Sequence, residues 1–287
     1  MNLWLVLSVN SVTFGGLLFL LSAGFSLIFG LMRIPNLTHG SFFMLGAYFG
    51  ASLVMWFHLD FWLAALIAAL LVALAGGLIE RFLLRRLAGA EQAQVLVTLG
   101  LSFMIADLCL MEWTGDPISV ETPSALQGFA RVAGAAFPLY RLGIIVIAVL
   151  VAAGLWLLID KTRLGAMIRA GVDDPQMARV CGIRVSHLFT IVFCLGAALA
   201  GFAGMIGAPI LSVYPGLDND MLPLALVVVI LGGTGSLLGS LVGSLVIGFL
   251  YNFGQALLPE LAYFVLFLPM VLILVMRPQG LFGRRAL

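Results

Sequence analysis

The chain has 287 residues, 63% of them hydrophobic and 9% charged, with a net charge of +1 and a mean hydropathy of +1.19. An ordinary soluble domain is roughly 45–50% apolar, so a soluble fold is excluded, and the near-zero net charge gives no basis for nucleic-acid binding. The apolar runs are long and continuous, where a membrane β-barrel would alternate over about 10 residues; the fold class is therefore an all-α polytopic membrane protein.

A bilayer-spanning helix takes about 20 mainly apolar residues. Such runs predict helices at roughly 11–31, 38–57, 61–79, 94–112, 141–159, 187–207, 222–232, 236–254 and 261–276, about eight or nine crossings in a single transmembrane domain over 1–287. Residues 1–32 contain no Lys or Arg, so the positive start of a cleaved signal peptide is missing and the first run reads as a retained helix. At the break after it, Arg33, Asn36, Thr38 and His39 gather either as a solvated inner turn or as the lining of the inner half of a pathway. In the fourth run Thr98 and Ser102 share a helix face, with Asp107 nearby. They line a polar route or bond back to their own helix. Asp107 is the only acidic residue well inside a predicted helix. Because a mid-bilayer charge costs ~2.5–3.5 kcal/mol, it either faces a cavity or partner or reaches the outer interface.

Residues 112–138, with Glu112, Asp116 and Glu121, form the main loop on one side, and 212–221, acidic at Asp218 and Asp220, a shorter one. The run LPLALVVVILGG is only 12 residues and ends at GGTGS, so 222–232 reads as a half-helix or re-entrant element. Thr234 and Ser236 in that second break join Asn36, Thr38, His39, Thr98, Ser102 and Asp107 as candidate path residues. Cys109 and Cys194 read as small packing residues, Cys181 lies in a polar segment, and no CxxC or metal-ligand spacing occurs.

Lys and Arg set the expected orientation. With the N-terminus outside, one face receives Arg33, Arg81, Arg85, Arg86, Lys161, Arg163, Arg169, Arg179, Arg184, Arg277, Arg284 and Arg285, and the other only Arg131 and Arg141. The C-terminus is then cytoplasmic if 222–232 crosses.

Small residues recur at four-residue spacing: Gly235, Gly239 and Gly243; Gly46 and Gly50; Gly196, Ala200 and Gly204. In lipid this spacing lets helix backbones approach closely, either as bundle or subunit packing or as the lining of a translocation path. Residues 28–50 and 229–248 both run apolar, polar break, Gly-Ser, small-residue helix. Broken helices in corresponding positions point towards a midplane site.

One segment stands apart. RAGVDDPQMARVCGIRV, 169–185, is polar between two apolar runs. Asp174 suits a helix N-cap, Pro175 the first helical position and Gly182 the left-handed residue after a helix end. This predicts a helix over about 175–181, with Met177, Val180 and Cys181 on one face and Gln176 and Arg179 turned away. So short a helix must be held by its own bundle, the membrane surface or a partner.

Asp174, Ala178 and Gly182 match the acidic-x-x-x-Ala-x-x-x-Gly form of the coupling loop of ABC importers. Together with IPNLTHGSFFMLGAY (34–48), the stretches 162–204 and 223–248 and the tail RPQGLFG (277–283), the chain resembles the LivH-type permease of branched-chain amino-acid ABC transporters over nearly its whole length. The resemblance implies an importer-permease fold and a second related permease, as a heterodimer. It also implies two cytoplasmic ATPase subunits, a periplasmic substrate-binding protein and a bacterial inner-membrane location. In that picture a cytoplasmic loop, 160–186, engages the ATPase through Arg169, Asp173, Asp174, Pro175, Ala178, Arg179 and Gly182, and 112–138 with 208–221 receives the binding protein. No cofactor is implied.

The residues agree on one negative point. A P-loop needs GxxxxGK[ST], and the single lysine, Lys161, is preceded by Asp160 with Trp156 five residues upstream. ATP energy must therefore arrive from another chain. Without HExxH or a nucleophile elbow a membrane enzyme is not expected. Two alternatives stay open: import of another small solute (urea, an aromatic or a short organic acid), and a stand-alone secondary transporter or channel.

Overall fold

The structure is a computed structural model that describes residues 2–32, 36–132, 135–277 and 279–283. Arg33, Arg284 and Arg285 thus lie outside the described residues. Its helices are α1 (Asn2–Met32), α2 (Thr38–Met55), α3 (Phe61–Phe82), α4 (Glu91–Trp113), α5 (Leu139–Lys161), α6 (Arg163–Asp173), α7 (Pro175–Val180), α8 (Val185–Leu211), α9 (Leu217–Gly232), α10 (Leu237–Leu257) and α11 (Ala262–Met276). Six of them, α1, α3, α4, α5, α8 and α10, are long and apolar enough to cross a membrane by themselves. The all-α polytopic class expected from composition is the one observed.

Helix α1 runs through the middle of the bundle, packed by α5, α8, α9 and α10. Helix α8 is the second axis and packs on α1, α2 and α3. Backbones meet where glycines recur. Gly24 and Gly196 bring α1 and α8 together, Gly46 and Gly201 do so for α2 and α8, and Gly204 lies against the Phe43 carbonyl. Gly50 faces the Met205 side chain, and Gly239 and Gly243 lie against the Gly232 and Val228 carbonyls of α9. Gly235 departs from the expected stripe. It precedes α10, has φ +76°, and meets the Cα of Gly30. The end of α1 and the second polar break therefore touch one another.

At that same end the tail is tied down, since Leu281 N donates to Leu231 O at 2.9 Å and Phe282 N to Gly232 O at 3.0 Å. Helices α6 and α7 belong to this end too, because Leu27 of α1 packs with Ile168, Leu188 and Val192. Among the described residues Arg81, Arg85, Arg86, Lys161, Arg163, Arg169, Arg179, Arg184 and Arg277 gather here, and Arg131 and Arg141 at the opposite end. There Trp4 stacks on Phe253, Arg141 donates to the Asn10 side chain, and Ile118 and Val213 exchange backbone hydrogen bonds of 2.7 and 2.8 Å.

Three local expectations change. Residues 163–173, expected as part of the loop 160–186, are helical. The Thr162 hydroxyl caps them by accepting from Gly165 N at 3.2 Å, and Ile168 and Gly171 bury one side. Within the loop 112–138, β1 (Phe129–Val132) pairs antiparallel with β2 (Ala135–Pro138), Phe129 opposite Pro138. Two four-residue strands are too short for alternation to announce them. Third, α9 begins at Leu217, five residues before the expected start. Pro223 misleads, because proline favours the first helical turn, yet here it lies inside the helix. At 16 residues α9 is about 24 Å long, short of the ~30 Å hydrocarbon core, so one of its ends lies at depth.

Candidate functional site

That end of α9 meets the start of α2 inside the bundle. Helix α2 does not start at the membrane surface. His39 Nε2 lies 3.0 Å from the carbonyl of Leu21, 11 residues before the end of α1, or about 16 Å along its axis. The Thr38 hydroxyl donates to the Thr98 carbonyl of α4 at 2.9 Å, and Asn36 Oδ1 accepts from Thr38 N at 3.2 Å. One turn on, Ser41 Oγ lies 2.8 Å from Ser102 Oγ, and both hydroxyls reach Asp218 Oδ2, at 3.1 and 3.3 Å. Ser102 is the middle residue of the 23-residue α4. Asp218, in the first turn of α9 and only 2% exposed, therefore sits near mid-depth.

This cluster contains the candidates Asn36, Thr38, His39, Thr98 and Ser102, all buried. It leaves others out. Asp107 lies on the exposed side of α4, whereas Gln94, Thr98, Ser102, Ile105 and Cys109 form its buried side. Thr234 is exposed, and Ser236 caps α10 by accepting from Gly239 N at 3.0 Å. Asp107 was expected either to face a cavity or partner or to reach the outer interface; the acidic residue buried at depth is Asp218, which the sequence placed in a short outer loop. Ser41 was missed with it. Gly216, at φ +103°, and the early proline were the available signals of a turn into a helix. Neither reveals what α9 packs against. A second buried acid was missed as well: Glu80 of α3 accepts from the Thr190 hydroxyl of α8 at 2.6 Å.

The second candidate region is α7. Asp174 Oδ1 caps it, accepting from Gln176 N at 2.9 Å and Met177 N at 3.0 Å, and Pro175 opens it. Gly182, at φ +82°, closes it. Its N–H donates to Arg179 O and that of Ile183 to Ala178 O, both at 3.0 Å, which satisfies the last carbonyls of the helix. The expected division of faces is different, however. Ala178 turns inward, 3% exposed, against the neighbouring α6 and α8, while Met177 and Val180, 58% and 82% exposed, project outward with Gln176, Arg179 and Cys181. A six-residue helix anchored at both ends has only one side to bury. Arg169 is also turned away from α7. It donates to the Ile159 carbonyl and pairs with Asp160 at 3.4 Å, bracing α6 on the end of α5. Asp173 and Asp174 are exposed beside α7. The outcome is a preformed knob with an apolar and basic outer surface at the basic end of the bundle.

No group of three or more His, Cys, Asp or Glu suited to a metal occurs among the described residues.

A family model described as branched-chain amino acid transport system / permease component matches residues 7–275. The high-affinity branched-chain amino acid transport system permease protein BraD of Pseudomonas aeruginosa is 29% identical over 96% of this chain and 94% of its own. LivH of Escherichia coli K12, a permease protein of the same description, is 28% identical with the same coverage. The ribose import permease protein RbsC of Escherichia coli K12 is 29% identical over 74% of this chain and 67% of its own. No solved structure matches.

Proposed function

The chain belongs to the branched-chain amino acid transport system permease family, and from that membership we propose that it is the membrane-spanning subunit of a bacterial ABC importer. It forms part of the passage for branched-chain amino acids across the inner membrane and does no bond chemistry itself. Its partners are a second, related permease, two cytoplasmic ATPase subunits and a periplasmic binding protein. The N-terminus lies outside and the basic end, with the C-terminus, in the cytoplasm. The observation that carries the reading is the family match over 7–275.

Coupling runs through α7. An outward knob capped at both ends transmits a push without melting, because its terminal backbone groups are already satisfied. Helix α8 follows it directly and packs along α1, α2 and α3, so a displacement of α7 moves the helices that hold the buried polar cluster. The Glu80–Thr190 hydrogen bond ties the first turns of α8 to α3 along the same line. Within this scheme Asp174, Pro175, Arg179 and Gly182 belong to the ATPase contact, and the buried Ala178 seats the knob on α6 and α8. Asn36, Thr38, His39, Thr98 and Ser102 belong to the passage, and Gly46, Gly50, Gly196, Gly204, Gly239 and Gly243 to helix packing.

A second reading, the same machine carrying another small polar solute, is favoured by one observation, the ribose import permease among the relatives.

The test is transport in proteoliposomes with the second permease, the ATPase pair and the binding protein, comparing the native chain with Ala178→Asp and Gly182→Trp. Both variants should insert and lose ATPase association and uptake together. Uptake without ATP, indifferent to both changes, would overturn the importer assignment. The same assay with leucine and ribose separates the two solute readings.

A further inference from the structure

We propose that Asp218 is a binding site for the ammonium group of the transported amino acid, occluded at mid-depth in this conformation; the proposal rests on the importer reading above. A carboxylate offers about four lone-pair positions, and a serine hydroxyl donates one hydrogen. Ser41 and Ser102 therefore supply at most two hydrogens, and both point at Oδ2. Oδ1 is buried and accepts no hydrogen bond among the described residues. Nor does a cation pair with Asp218 among the described residues.

A half-satisfied carboxylate at the centre of a membrane helix bundle is costly. A residue kept there needs a donor or cation that arrives from outside the chain. The setting suits an arriving solute. Asp218 lies where two helices begin inside the bundle, α2 after its break and α9 after the turn at Gly216, and such discontinuities are where backbones move and mid-membrane sites form. The first turns touch closely, with a Cβ on Gly40 falling 2.8 Å from the Asp218 carbonyl oxygen, so a small shift of α2 against α9 opens or closes the site. On the same seam Cys109 lies within electrostatic reach of both Asp218 and Tyr48, and the Tyr48 hydroxyl likewise has no partner among the described residues. A monoammonium group on an aliphatic body matches one bare carboxylate oxygen in an apolar seam.

The experiment uses the assembled importer in proteoliposomes and the solubilised native complex. Asp218→Asn should lower the kcat/KM for leucine uptake about ten- to hundredfold, the size expected for one charge-assisted hydrogen bond. ATPase association should be kept, and Asp218→Glu should restore part of the uptake. On the native complex without binding protein, leucine and 3-methylbutylamine should raise the melting temperature and 4-methylpentanoate should not. Native uptake by Asp218→Asn overturns the proposal while leaving the importer reading intact. So does a melting shift given equally by sodium chloride, which makes the site one for an inorganic cation, or by 4-methylpentanoate. If Asp218→Asn fails to assemble, the melting series on the native complex decides alone. A native importer that moves no leucine with ATP overturns instead the amino-acid reading on which the proposal rests.

Discussion

Gly46→Ala isolates what the small residues of α2 do. A Cβ at position 46 would lie 2.2 Å from the Gly201 carbonyl oxygen and 2.3 Å from its Cα, both backbone atoms of α8 that no rotamer change can move. Carbon contacts settle at about 3.5–4.0 Å, so α2 and α8 must part by roughly 1.2–1.7 Å along their shared seam. Overpacking of this kind costs about 1–3 kcal/mol, a factor of roughly 5 to 150 in the folding equilibrium. At about 2–4 °C per kcal/mol for a large domain, the melting temperature should fall by roughly 2–12 °C. Alanine is the better helix former by about 1 kcal/mol, and a control must remove that gain. Gly154→Ala on α5 does so, since a Cβ there meets nothing within 4 Å. The assay is thermal unfolding of the isolated chain in detergent, followed by tryptophan fluorescence. If Gly46→Ala melts no lower than Gly154→Ala, the close approach of α2 and α8 is not what Gly46 serves.

Asp174→Ala removes the side chain that caps two backbone N–H groups of α7 and should cost that helix about 0.5–2 kcal/mol. Uptake per ATP hydrolysed should drop while global melting stays put; Asp174→Asn, which keeps the acceptor, should be close to native, and equal loss in both variants would refute the capping argument. Glu80→Ala deletes a buried charge-assisted hydrogen bond of about 1.5–3 kcal/mol and leaves the Thr190 hydroxyl only the Ser186 carbonyl at 3.2 Å, so it should melt below Glu80→Gln, which retains an acceptor oxygen. Matching melting curves would show that the bond contributes nothing. Of the three cysteines Cys181 is exposed and Cys109 buried. A membrane-impermeant maleimide should label Cys181 in inside-out vesicles and not in right-side-out ones, and the reverse pattern would invert the proposed orientation.

What the residues alone disclose follows the reach of the interactions involved. The caps of α7 could be read directly, because Asp174 bonds the N–H groups two and three positions on and Gly182 needs only its own positive φ. The membrane runs were legible for a similar reason, since hydrocarbon asks the same thing of every residue along a span.

Asp218 had none. Its partners Ser41 and Ser102 stand 177 and 116 positions away in the chain, and their own neighbours show no sign of a carboxylate. Asp107 misled in the opposite sense: its place inside α4 was legible, but which side of that helix the bundle covers depends on how α2 packs against it. Sequence by itself determined which segments enter the membrane and how α7 is shaped, because those are settled by solvent and by hydrogen bonds spanning a few residues. Which acidic residue is sealed in the interior was decided only by tertiary structure, because burial of a charge depends on what the rest of the chain places around it.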